Sequence, residues 1–112
     1  MQENDKPVLI YSTFPSAEAA ESVGRALVEQ RLAACVNIIA GMTSIYHWEG
    51  RIERASEAVM IIKTRKALTE AAIAVARERH PYTNPALLVV LIEGGSAEYL
   101  AWLLEETAAR RE

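Results

Sequence analysis

Residues 35–64 read CVNIIAGMTSIYHWEGRIERASEAVMIIKT and contain two long segments of strand-forming residues that meet at Glu49-Gly50. A glycine at position 50 can adopt a positive φ, as a tight hairpin turn requires. Each arm of this predicted hairpin has about fourteen residues, whereas a typical strand has about five or six. The hairpin is therefore expected to extend beyond the body of a small domain.

The outer half of the predicted hairpin is apolar, because it carries Ile45, Tyr46 and Trp48. A free two-stranded ribbon is at best marginally stable in water, so another surface must cover these side chains. Another copy of the same chain is the simplest cover, which predicts a cyclic oligomer in which ribbons pack against or pair with a neighbour's sheet. In the alternative interpretation, a bend at Gly41 folds the ribbon back over its own sheet.

The segments around the hairpin complete the predicted order of elements. A strand is predicted over residues 8–14, and an amphipathic helix with Ser16 as its N-cap follows over residues 16–31. A second helix over residues 66–79 ends before Pro81.

The unbroken apolar run of residues 87–92 is typical of a central strand covered on both faces. Ser96 caps a last helix, with Arg110 and Arg111 near its C-terminal end.

This order predicts an α+β domain of the ferredoxin-like βαββαβ type, followed by a C-terminal helix. Such a domain has one antiparallel sheet with both crossover helices on one face. Residues 1–7 are interpreted as a flexible tail and residues 8–112 as a single domain, since 112 residues leave no room for a second core.

Composition narrows the classes of partner and the compartment. Twelve basic and fifteen acidic residues give a net charge of -3, which argues against nucleic acid and membrane surfaces as partners. Cys35 is the only cysteine, so no intrachain disulfide is expected. The polar start of the chain lacks the pattern of a signal peptide, and the apolar run of residues 86–92 is far too short to span a bilayer. A cytoplasmic protein is therefore expected.

Catalytic motifs are missing from the sequence. The chain has no glycine-rich phosphate loop, no serine in a nucleophile elbow, and a single aspartate, Asp5, in the tail. We therefore expect a protein that is not an enzyme and has no organic cofactor. One face of a regular ribbon would carry Glu49, Glu53 and Glu57. These carboxylates could hold a hard divalent ion, or they could form a solvated face that resists aggregation of the ribbon edge. We favour the solvated face.

Cys35, His47 and His80 are the soft or borderline metal donors of the chain besides methionine sulfur. Their spacing matches no compact zinc signature, and a buried structural cysteine is the alternative for Cys35. Copper is the divalent ion that a sparse Cys/His site binds best.

Two further groups of residues carry open alternatives. The segment 80–85, HPYTNP, is stiffened by two prolines and either faces a ligand or sets the entry angle of the next strand. Tyr46, Trp48 and Tyr82 either line a cleft with Lys63 or anchor an interface.

Several motifs together resemble the CutA divalent-cation tolerance proteins, over about residues 8–104. They are Thr13-Phe14-Pro15, Cys35-Val36-Asn37-Ile38, Ser44-Ile45-Tyr46-His47-Trp48-Glu49-Gly50, Ile61-Ile62-Lys63-Thr64, His80-Pro81-Tyr82 with Pro85, and Glu98-Tyr99-Leu100-Ala101-Trp102-Leu103. The resemblance implies a homotrimer built through the long hairpins and a role in tolerance of copper and other divalent metals. It also implies architectural likeness to the PII signalling trimers, whose clefts between subunits bind small effectors.

Carried over to this sequence, the resemblance implies a cleft that contains Cys35, Tyr46, Trp48, Lys63, His80 and Tyr82. Cys35 and His80 are the expected metal ligands, for copper or another divalent cation. This chain has Ser12 where some relatives have a cysteine and Arg79 where some have a second histidine. Many relatives have glutamates at the positions of Thr83 and Ala86. The alternative function is a PII-like trimer that senses a small molecule, at Lys63, Tyr82 and His80, or that anchors a partner protein.

Overall fold

The strands and helices follow one another along the chain in the predicted order. The computed structural model describes residues 3–108. The elements are β1 (Pro7–Phe14), α1 (Ala17–Glu29), β2 (Cys35–Trp48), β3 (Arg51–Arg65), α2 (Thr69–Arg79), β4 (Leu88–Leu91) and α3 (Ala97–Glu106). Short 3-10 turns at Glu3–Asp5 and Lys66–Leu68 precede β1 and α2. Arg110 and Arg111, predicted near the end of the last helix, lie outside the described residues.

The four strands form one antiparallel sheet in the order β2-β3-β1-β4. The predicted α+β class is therefore confirmed, with β1 in the interior of the sheet between β3 and β4. Ser16 caps α1 as predicted, because its hydroxyl accepts a hydrogen bond from the backbone N–H of Ala19 at 3.1 Å.

The hydrophobic core lies between one face of the sheet and helices α1 and α2. It is built from small helix residues and larger strand residues: Ile10, Phe14, Ala20, Val23, Leu27, Ala33, Met60, Ile62, Ala72 and Ala76. Gly24 lets α1 lie close to the strands, since a Cβ there would sit 2.7 Å from Val36 Cγ2 and 2.9 Å from Met60 Sδ.

Helix α3 contacts side chains on the other face of the sheet. Lys63 and Arg65 alternate along β3 with the buried residues Ile62 and Thr64, so they point away from the core. The Arg65 guanidinium donates to the Thr107 hydroxyl at 3.0 Å and pairs with Asp5. These bonds fix the end of α3, and the 3-10 turn before β1, to the end of β3.

The long hairpin is paired along nearly its whole length, from Cys35 opposite Lys63 to Trp48 opposite Arg51. An irregularity between Ile39 and Met42 marks Gly41, whose φ is 79°. The outer ribbon continues outward past this point, and Trp48 at its end is 62% exposed. Gly41 therefore shifts the register without folding the ribbon back over its own sheet, and the molecule is 48 Å long but only 30 Å and 21 Å in its other dimensions.

The hairpin turn places both of its central residues in the left-handed region. Glu49 has φ 50° and Gly50 has φ 80°. A two-residue turn with two positive φ values matches the right-handed twist of the strands that it joins. Only Gly50 was expected to have a positive φ, and Glu49 adopts one because the tight turn needs both.

We expect Glu49→Asn to raise the free energy of unfolding by about 0.5–1 kcal/mol, since asparagine tolerates the left-handed region better than glutamate. Urea unfolding at a fixed protein concentration measures the change. Glu49→Ala is the matched control and should give no such gain, because alanine shares the steric cost of a Cβ at positive φ. A Glu49→Asn midpoint below that of the parent chain would contradict the expectation.

Strand β4 departs from the prediction. The apolar run of residues 87–92 was expected to form a central strand covered on both faces, but β4 lies at the edge of the sheet and pairs only with β1. Its four side chains are all exposed in the single chain, up to 73% for Leu91. An unbroken apolar run indicates that a strand is covered, but it does not indicate whether the same chain supplies the cover.

Candidate functional site

His80 occupies a buried position between the end of α2 and the end of β1. Its backbone leaves the helical region, with ψ 137°, because Pro81 follows it. The imidazole stacks on Phe14 at a centroid distance of 4.1 Å and an interplanar angle of 17°, and the residue is only 8% exposed. The His80 Nε2 lies 2.9 Å from the Thr13 carbonyl oxygen and 3.4 Å from the Ser12 hydroxyl.

Tyr82 connects this position to the ribbon. Its backbone N–H donates to His80 Nδ1 at 3.1 Å, and its hydroxyl donates to the Glu57 carboxylate at 2.6 Å. Burial, then the hydrogen bond to Glu57, raises the pKa of the Tyr82 phenol, and the negative charge of the Glu57 carboxylate adds to the shift. The loop after α2 is thus attached to β3 where the ribbon passes its irregularity, since Glu57 lies opposite Met42.

Burial is also the main influence on the pKa of His80, which it lowers. The hydrogen bond to Thr13 and the charge of Glu57 oppose this shift only in part. The neutral imidazole is therefore the form that the fold stabilises.

Lowering the pH from about 7.5 to about 5.5 is expected to reduce the contribution of His80 to stability. Because the pKa of His80 is lower in the folded than in the unfolded chain, the unfolded chain binds more protons over this range. The contribution is complete above the unfolded pKa and is lost as the pH falls toward the folded pKa. Urea unfolding at both pH values should show a larger loss in the parent chain than in His80→Asn. Equal losses in the two proteins would contradict the assignment.

Cys35 and Lys63 form a second group, opposite each other on β2 and β3. The Lys63 ammonium lies 3.1 Å from the Tyr99 hydroxyl and 5.2 Å from the centre of the Tyr99 ring. The half-buried Cys35 thiol has two weak contacts, with the Val36 carbonyl at 3.7 Å and the Asn37 amide at 3.8 Å.

The expected metal ligands, Cys35 and His80, are not brought together within one chain. Cys35 is aligned across the sheet with Lys63 and Leu9, whereas His80 contacts Phe14, five residues further along β1. At about 3.3 Å per residue, the two positions are roughly 16 Å apart along the sheet. Among residues 3–108, no cluster of three or more His, Cys, Asp or Glu side chains has the arrangement of a metal site. A single chain therefore does not bring its expected ligands together into a site for a divalent cation.

The remaining candidates divide between these groups and the outer ribbon. Tyr46 lies near the Tyr82–Glu57 pair. Trp48 lies at the tip of the hairpin, two residues beyond Tyr46 on β2 and at the opposite end of that strand from Cys35. Glu53 and Glu57 share one face of the ribbon, because the strand pairing between them is regular, whereas Glu49 lies in the turn. Glu57 is hydrogen-bonded to Tyr82 and is therefore not simply a solvated carboxylate.

Three contributors to these groups were not identified from the sequence. Glu57 was grouped with the solvated glutamates. However, it directly precedes the apolar run of β3, where a carboxylate needs a hydrogen-bond donor. Tyr99 was noted only as part of the motif of residues 98–103, and nothing in that motif indicates its contact with Lys63. The Thr13 carbonyl is a backbone group, so no residue pattern indicates its role.

A surface cavity of about 330 Å³ lies elsewhere, between the 3-10 turn before β1 and the end of β4. Leu91 and Leu100 form part of its apolar wall, and Lys6 and Lys66 lie at its rim, where both pair with Glu3. None of the six expected cleft residues lines it.

A family model described as CutA1 divalent ion tolerance protein matches residues 8–106. The chain belongs to this family. Among its relatives, Divalent-cation tolerance protein CutA of Thermus thermophilus is 44% identical over 103 residues, which are 88% of this chain and 96% of that protein. Protein CutA, chloroplastic, of Arabidopsis thaliana is 40% identical over 110 residues, and this chain covers 96% of its own length but only 60% of the plant protein.

Solved structures of the family have the same fold. The structure of the periplasmic divalent cation tolerance protein CutA from Archaeoglobus fulgidus superposes with a TM-score of 0.87 at 40% identity, covering 91% of this chain and 99% of that one. These relatives are named for divalent-cation tolerance and not for an enzymatic activity. Two of them are described as chloroplastic and periplasmic, so membership of the family does not fix a compartment.

None of the helices within residues 3–108 combines the length and the apolar character that crossing a bilayer would require.

Proposed function

We propose that the chain acts in tolerance of divalent cations, copper among them, as a non-enzymatic homotrimer in the cytoplasm. Membership of the family over residues 8–106 supports the role in divalent-cation tolerance. The observation that carries the homotrimer is the apolar surface that a single chain leaves uncovered at two places, along β4 and on the outer ribbon. Soluble proteins rarely leave contiguous apolar surface of this kind exposed unless a partner covers it. A second and a third copy of the chain are the proposed partners, because the long hairpin extends far enough from its own domain to contact them.

The geometry of the two places supports pairing between copies. The outer edge of β4 has no neighbouring strand within the described residues, so its backbone N–H and C=O groups are free to pair. The ribbon brings Ile45, Trp48 and Ile52 beyond its own sheet, where a neighbour's edge can lie. A contact between two different surfaces, the ribbon of one copy and the sheet of the next, closes into a ring if the rotation between neighbouring copies allows it. In a ring of three, every copy has both of these surfaces covered.

The cleft between two subunits is the proposed place of metal binding. Cys35 lies on β2 and the Tyr82–Glu57 pair lies at the base of the ribbon, so groups that are distant in one chain can meet across a boundary between copies. A thiolate is a soft ligand and favours copper over the harder divalent ions. Cys35 is therefore the donor on which the proposed copper response depends most.

Isothermal titration of Cu(II), Zn(II) and Mg(II) into the assembled chain tests this role. Cys35→Ser removes the soft thiolate with little change of shape, and Thr43→Ser, at an exposed position of the same strand, is the matched control. We expect Cu(II) to bind the parent chain and the control, and to lose at least about tenfold in affinity with Cys35→Ser. Equal Cu(II) affinity in all three proteins would exclude Cys35, and the double variant Cys35→Ala, His80→Ala would then show whether either expected ligand contributes.

A second candidate function is the sensing of a small organic anion in the same cleft. The observation that favours it is the Lys63 ammonium, which has no carboxylate partner within residues 3–108 and rests on the Tyr99 ring. A thermal-shift screen of small carboxylates and phosphates against the parent chain, Lys63→Gln and the control Lys66→Gln tests it. A compound that raises the midpoint of all but Lys63→Gln supports this function, and a screen without any such compound contradicts it.

A further inference from the structure

Both ring nitrogens of His80 are already engaged within the chain. The Thr13 carbonyl oxygen, 2.9 Å from Nε2, can only accept a hydrogen bond, so Nε2 carries the proton. The Tyr82 backbone N–H, 3.1 Å from Nδ1, can only donate, so Nδ1 presents its lone pair to that N–H. A neutral imidazole has one such lone pair, and a metal ion needs the same one.

We infer that His80 is a positioning residue for the loop of residues 80–85 and the base of the ribbon, and is not a ligand of the divalent cation. This deepens the proposed function, because it assigns metal binding to the cleft without His80. In the experiment described below, only the metal titrations depend on the proposed function.

The surroundings of the ring support this assignment. Phe14 covers one side of the imidazole at 4.1 Å, and the Tyr82 ring lies 5.1 Å from its centre. A histidine that binds a metal through one nitrogen usually donates from the other to a carbonyl, and Nε2 with Thr13 has this arrangement. However, the nitrogen that would then face the metal is Nδ1, which Tyr82 covers with its own backbone. A cation at Nδ1 would have to displace the loop.

A continuous path of contacts shows what His80 positions. Thr13 at the end of β1 orients the imidazole, and the imidazole holds the backbone of Tyr82. The hydroxyl of Tyr82 then donates to Glu57, which lies opposite Met42, directly after the irregularity at Gly41. His80 therefore helps to fix where the ribbon leaves the domain.

The test uses the full chain labelled with ¹⁵N, with Zn(II) as a diamagnetic probe and Cu(II) for titration. The long-range proton–nitrogen spectrum reports the protonation of each ring nitrogen, and the exposed His47 provides an internal reference. His80→Asn keeps an acceptor near the position of Nδ1, whereas His80→Ala removes it.

We expect the His80 ring to show a proton on Nε2 and none on Nδ1, and to keep this pattern when Zn(II) is added. His80→Asn should bind Cu(II) within about twofold of the parent chain and keep the Tyr82 amide resonance, which His80→Ala should shift. A change at His80 Nδ1 with Zn(II), or at least a tenfold loss of Cu(II) affinity in His80→Asn with an unchanged Tyr82 amide, would overturn the inference.

If the parent chain binds neither metal, the proposed metal role fails, but the assignment of His80 as a positioning residue is still decided. The protonation pattern and the rescue by asparagine then support it, and a proton on Nδ1 or an unshifted Tyr82 amide in His80→Ala contradicts it.

Discussion

Phe14→Ala is expected to lower the free energy of unfolding by about 3–5 kcal/mol, the range measured when a large buried aromatic side chain is truncated. Phe14 is fully buried at the end of β1, within the core formed with α1 and α2. Its ring also carries the imidazole of His80, so truncation removes the surface on which the loop of residues 80–85 rests. Urea unfolding at one fixed protein concentration measures the change, since assembly makes the midpoint depend on concentration.

The control for this prediction is Phe14→Leu, which keeps most of the buried volume and loses the stacked ring. Its cost should be smaller, at about 1.5 kcal/mol or less. The Tyr82 amide resonance should shift in both variants, because both lose the stacking on His80. An unfolding midpoint of Phe14→Ala equal to that of the parent chain would show that the core closes around the gap.

Local patterns in the sequence were sufficient for the elements of the fold. The run of strand-forming residues at 8–14 and the long arms on either side of Gly50 are signals that neighbouring residues carry. Ser16 was identified as an N-cap because capping depends on one side chain and the next turn of backbone. Strand β4 was misplaced because burial depends on what lies beside a strand, and no residue within β4 specifies its neighbour.

The candidate site was less accessible to sequence reasoning for the same physical reason. His80 and Tyr82 were identified as a pair because they are two residues apart, but the contacts of the imidazole come from Thr13 and Phe14, more than sixty residues away in the chain. Cys35 and His80 were grouped by donor chemistry alone. Donor chemistry indicates which ion a residue prefers, whereas only the register of the sheet shows that the two lie at different positions along β1.

A double variant, Leu88→Lys with Val90→Lys, is expected to convert the proposed trimer into single chains that remain folded. Leu88 pairs with Tyr11 and Val90 with Leu9, which places both on the sheet face opposite α1 and α2. Both are already exposed in the single chain, at 58% and 46%, so lysines there cost the isolated fold little. In the assembly they would be buried without a partner, at several kcal/mol for each charge, and a ring repeats that cost at every boundary.

Sedimentation equilibrium distinguishes the outcomes, because the parent chain is expected at three times 12.4 kDa and the variant at 12.4 kDa. Val28→Lys is the matched control: Val28 is 39% exposed on α1, away from both proposed contact surfaces, so its lysine should leave the mass of the assembly unchanged. Lysines on an edge strand also discourage a neighbouring strand from pairing with the free backbone N–H and C=O groups of that edge. A double variant that keeps the mass of the parent assembly would therefore show that β4 lies outside the contact between copies, and a parent chain at 12.4 kDa would remove the trimer from the proposed function.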